Sequence, residues 1–137
     1  MDELRELIEN LDLEELDYYY HITSRGYGDD IIENGLYLEE SDLVTTTVKL
    51  PKEMLENPEE YCASEYSDST TKRHEMVIIG CSKDEGNNII FNADIPKWLG
   101  DQELRYLIRS ENILGYIDLE TLDVEYNPEY IDFNIRR

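Results

Sequence analysis

A chain of 137 residues with 33 acidic against 12 basic side chains carries a formal net charge of −21. Such a surface repels nucleic acid and anionic membranes within about a Debye length, roughly 8 Å at physiological salt. The length suits one domain over residues 1–137, and no apolar run nears the roughly 18 to 20 residues that cross a bilayer.

Cys62 and Cys81 are too few and too far apart for a zinc pattern, and the N-terminus lacks the basic and apolar regions of a signal peptide. A reduced, cytoplasmic monomer is expected. Lys72-Arg73-His74 and Arg136-Arg137 are the only clusters of basic residues and neither is large, so direct contact with nucleic acid or membrane is not expected. The acidity either keeps the chain soluble or draws a basic partner by fast, salt-sensitive association, as a nucleic-acid mimic would.

Along the chain, residues 2–16 read as an amphipathic helix, with Leu4, Leu7, Ile8 and Leu11 on one stripe and Asp2, Glu3, Glu6 and Glu9 outside it. A β-favouring run, Tyr18-Tyr19-Tyr20-His21-Ile22, enters the turn-rich Thr23-Ser24-Arg25-Gly26-Tyr27-Gly28. Asp29-Asp30 precedes a short helical turn over 31–34 that Gly35 would close in the left-handed conformation.

Residues 39–47 are polar, and Thr45-Thr46-Thr47-Val48 suits a short strand or extended loop. Pro51 would be the first residue of a helix that Pro58 interrupts or restarts before Tyr61. A polar loop over 64–71 leads to a strand over 75–81, and Asp84-Glu85-Gly86-Asn87-Asn88 turns it into a hairpin with Ile89-Ile90-Phe91. A helical turn over 96–100 and strands over 104–108, 116–119 and 122–126 complete the set. The fold class expected is α+β, mainly antiparallel sheet with a few short helices.

The strand, loop, short helix and Gly35-Leu36 together resemble the start of the ADP-ribosyltransferase fold of poly(ADP-ribose) polymerases and their bacterial toxin relatives, where an aromatic-His-x-Thr/Ser motif precedes a helix and a Gly-Leu. Two later stretches are similar to the family's other motifs. Glu60-Tyr61-Cys62-Ala63-Ser64 stands before the strand-like Met76-Val77-Ile78-Ile79-Gly80, like the tyrosine at a helix end that precedes a hydrophobic strand. Gln102-Glu103-Leu104-Arg105-Tyr106-Leu107-Ile108 resembles the strand that an acidic residue opens, with Ile113-Leu114-Gly115-Tyr116-Ile117 after it. The three stretches fall in the family's order over residues 18–117.

The resemblance implies a small ADP-ribosyltransferase-like fold that takes NAD as substrate and modifies a protein target. His21 would hydrogen-bond a ribose hydroxyl with Thr23 or Ser24 in support, Tyr61 would stack on nicotinamide, and Glu103 would act on the nicotinamide ribose. Breaking the glycosidic bond of NAD develops oxocarbenium character, which a nearby carboxylate stabilises while a stacked ring holds the leaving base. The strands of His21 and Glu103 would lie side by side at a cleft that Tyr61 enters from a helix end.

Alternatives stand beside each assignment. His21 could instead bond a backbone carbonyl, and Tyr27 or Tyr37 could supply the ring. Arg105 rather than Glu103 directly precedes the apolar run, and alternation puts both on one strand face, so register decides whether the carboxylate is present. Ile22 also replaces the glycine usual in polymerases. A rival function is therefore an inactive copy of the fold, an acidic binding protein that inhibits a basic nucleic-acid-binding partner.

Overall fold

The computed structural model describes residues 2–65, 73–82, 97–99 and 103–130. Among these, eight strands and five short helices form two antiparallel sheets. The fold is mixed α+β, mostly antiparallel sheet.

The larger sheet has the order β3-β1-β4-β7-β8, with β1 over Leu16–Ser24, β3 over Thr47–Lys49, β4 over His74–Ser82, β7 over Ile113–Asp118 and β8 over Val124–Tyr126. The smaller has the order β2-β6-β5, with β2 over Leu36–Leu38, β5 over Lys97–Leu99 and β6 over Glu103–Ile108. β1 and β4 pair along their whole lengths, from Leu16 opposite Ser82 to Ser24 opposite His74.

Alternation along these strands sorts the core into two layers. On the even face Leu16, Tyr18, Met76, Ile78 and Ile117 pack with α1 (Asp2–Glu9), α4 (Lys52–Glu56) and α5 (Pro58–Glu65) through Leu4, Leu7, Met54 and Cys62. On the odd face Tyr19, Val77 and Ile79 pack with α2 (Tyr27–Asn34) and α3 (Glu40–Thr46) through Ile31 and Leu43, and with the smaller sheet through Leu36 and Ile108. A side chain on β1 thus belongs to one of two compartments, and its parity decides which.

Several elements differ from the sequence expectation for visible reasons. α1 ends at Glu9 rather than running to residue 16, because the Asp12 carboxylate accepts the Glu15 N–H at 3.3 Å and the Asp12 N–H donates to the Tyr18 hydroxyl at 3.0 Å. These bonds favour a turn over helix continuation. α2 starts at Tyr27, so Asp29 and Asp30 lie in its first turn, where they oppose the helix dipole favourably. Gly35 does stop it, accepting φ 87° but with ψ 175°, outside the left-handed helical well.

The Thr45–Thr46 stretch is helical and only Thr47 onwards is strand. Pro51 sits at the cap of α4, not inside it, whereas Pro58 opens α5 and places Tyr61 in mid-helix. Residues 97–99 form strand β5 where a helical turn is expected, its Trp98 opposite Leu104. The hairpin expected over 84–91 lies outside the described residues.

Candidate functional site

His21 projects from β1 on the odd face, and three elements define its surroundings. β3 sets Thr47 directly opposite it, β4 sets Val77 on the other side, and the last turn of α3 brings Thr46 Oγ1 to 3.3 Å from Nδ1. The Thr46 hydroxyl gives its single proton to the Asp42 carbonyl. Its oxygen must therefore accept at His21, which places the imidazole proton on Nδ1 and leaves Nε2 an acceptor. Burial pushes the imidazole below its usual value, against weaker upward pulls from the Thr46 backbone and the Asp42 carboxylate. The ring is neutral at pH 7.

Thr47 is 4% exposed, and its hydroxyl has no hydrogen-bond partner. Directly opposed residues of an antiparallel pair share a face, with Cα atoms about 4.5 to 5.5 Å apart. A neutral imidazole acceptor and an unsatisfied hydroxyl therefore stand side by side. That pair suits a ligand hydroxyl, which can donate to Nε2 while the threonine bonds a second group.

Thr23 lies two residues further on the same face, opposite the buried Glu75. The Glu75 carboxylate accepts the Gly28 N–H at 2.8 Å, and the Tyr116 hydroxyl donates to Asp29 at 2.9 Å. These two bonds fix the start of α2 to β4 and β7. Tyr27 at the head of that helix is 60% exposed, an available ring on this side of the molecule. Ser24 is exposed at the end of β1.

The remaining sequence-predicted residues are not gathered here. Tyr61 packs in the even-face layer with α5, on the opposite side of the larger sheet from His21. It lines a concavity of about 550 Å³ together with Glu53, Glu56, Glu60 and Glu65. Tyr37, flanked by the odd-face residues Leu36 and Leu38, alternates away from that layer. β1 and β6 are not neighbours either: β1 pairs with β3 and β4, β6 with β2 and β5.

Glu103 opens β6 opposite Leu99, and Arg105 stands opposite Lys97. For residues 103–105 the structure describes the strand and its register, not the side chains. The smaller sheet nonetheless packs on the odd-face layer, to which Tyr106 and Ile108 of β6 both contribute. Sequence reasoning missed Thr46 and Thr47 as the neighbours of His21, although a triple threonine directly after the apolar pair Leu43-Val44 was their visible signal.

The two thiols offer no chemistry at neutral pH. Burial holds both Cys62 and Cys81 up at about 12, and both are free. Among the described residues no group of three ligating side chains could hold a metal, and no helix is long and apolar enough to cross a membrane. No family model, curated protein or solved structure matches the chain.

Proposed function

We propose that this chain is an ADP-ribosyltransferase-like protein that binds NAD at the odd face of β1 and modifies a protein target, as a monomer in the cytoplasm. The observation that carries the reading is the pairing of His21, whose Nδ1 proton goes to Thr46 and leaves Nε2 the acceptor nitrogen, with the unpartnered hydroxyl of buried Thr47. A vicinal ribose diol supplies what each lacks, one hydroxyl to donate and one to accept. Glu103 is the carboxylate assigned to the developing cation, and Tyr27 replaces Tyr61 as the stacking ring.

Calorimetric titration with NAD tests this. His21→Ala weakens binding about tenfold or more, the loss of roughly 1.5 kcal/mol expected for a hydrogen bond and its context. Glu103→Gln keeps binding and removes turnover, because its charge acts on the transition state.

A second reading is favoured by the position of Tyr61. Its ring lies amid four glutamates, away from His21, so it serves an acidic surface better than a nicotinamide site. On that reading the chain is an inactive copy of the fold that occupies a basic partner. NAD binding without any turnover, with Glu103 intact, supports it.

A further inference from the structure

The buried Asp17 is a charge that the His21 site does not use. It is 6% exposed; Oδ1 meets Lys49 Nζ at 3.2 Å, while Oδ2 is buried without any hydrogen-bond partner. Lys49 itself is more than half exposed, so it leaves the carboxylate half satisfied. Asp17 and Lys49 line a cavity of about 190 Å³ whose other walls include Leu13, Leu16, Leu50 and Leu55. Leu13 stands at 45% exposed, an apolar side chain left to solvent.

From this we infer that the cavity is a docking pocket for one lysine or arginine side chain of a basic protein partner. The aliphatic stem packs on the leucines and the cationic head completes Asp17. Size favours a single side chain, since sites for whole small ligands run from about 300 Å³ upwards. Charge favours a cation, because the chain as a whole carries −21.

Position favours a polypeptide. Leu55 lines this cavity, and its neighbour Glu56 lines the glutamate-rich concavity around Tyr61. One basic segment crossing α4 therefore reaches both. The inference does not rest on the NAD reading, because Asp17, although it shares the parity of His21, stands four residues back along β1, opposite Cys81 rather than beside α3.

The test titrates the 137-residue chain with hexalysine at about 50 mM salt, followed by backbone amide shifts and affinity. Shifts are expected at residues 13–18 and 49–55. Asp17→Asn weakens binding about tenfold, whereas Glu14→Gln, an equal change of charge at an exposed site, changes it less than about twofold. Leu55→Phe, which fills the pocket without altering charge, also weakens it. NAD affinity measured on the same variants stays unchanged, which separates this inference from the NAD reading. Equal losses in Asp17→Asn and Glu14→Gln overturn it, as do shifts confined to residues 53–65. A melting curve for Asp17→Asn matching the parent establishes that its loss is not unfolding.

Discussion

Thr47 separates a structural role from a functional one more sharply than any other residue. A buried hydroxyl without a partner costs stability, so an isosteric replacement should not harm the fold. Thr47→Val is expected to leave unfolding free energy unchanged or raise it by about 1 kcal/mol, while NAD affinity falls about fivefold or more. Urea denaturation beside calorimetry reads both. A stability loss without an affinity loss would make Thr47 a structural residue and remove the cross-strand half of the site.

The neighbouring His21 sets a pH dependence of known sign. Its folded value lies below the ordinary 6.5, so the unfolded chain takes up the proton first. The stability it contributes is fully present above about 6.5 and is lost as pH falls through the folded value. On the proposed function NAD binding is expected to follow the same direction, because protonated Nε2 no longer accepts. His21→Asn should flatten both profiles below about pH 6.5. A parent profile indistinguishable from the variant's would show that the imidazole is not perturbed by its burial.

At the scale of elements, α2 is held by two side-chain bonds and a close approach. A Cβ on Gly28 would stand 2.6 Å from the Tyr116 ring and 2.7 Å from Glu75 Oε1. Gly28→Ala must therefore push the helix off β4 and β7, at a cost of about 1 to 3 kcal/mol. Its melting temperature should fall and its Tyr27 and Asp29 amide signals should shift. A variant as stable as the parent would mean that α2 moves freely on the sheet.

Much of this arrangement was legible in the sequence. The tyrosine run reads as β1, the apolar run before Cys81 as β4, and Gly35 as a helix stop, because each carries a strong local signal. α3 was not legible, since Leu43 is its one buried side chain of those described and its threonines bond back to the Ser41 and Asp42 carbonyls. No helical stripe results from that composition.

The fate of Tyr61 shows a different limit. Period-two alternation tells that His21 shares a face with Tyr19, but not which helices cover that face. The larger sheet is covered by α1, α4 and α5 on one side and by α2 and α3 on the other, a property of chain topology. His21 and Tyr61 are separated by that choice, although their motifs fall in the expected order.

For the whole molecule, the excess of acid governs the response to salt. Ion pairs such as Arg5–Glu59 at 2.9 Å and Arg25–Asp118 at 2.9 Å are surface contacts that solvent and salt screen. Self-repulsion among 33 acidic side chains with only 12 basic ones outweighs them. Raising salt from about 10 to 500 mM should therefore raise the melting temperature by several degrees. A fall would mean that the ion pairs contribute more than the repulsion removes.

The central claim is that NAD binds at the odd face of β1, and one measurement addresses it directly: calorimetric titration of NAD into the parent, His21→Ala, Thr47→Val and Tyr61→Ala proteins. The expected result is saturable binding by the parent, weakened about tenfold by His21→Ala and clearly by Thr47→Val, with Tyr61→Ala within about twofold of the parent. No heat with the parent, or binding that only Tyr61→Ala abolishes, would contradict it.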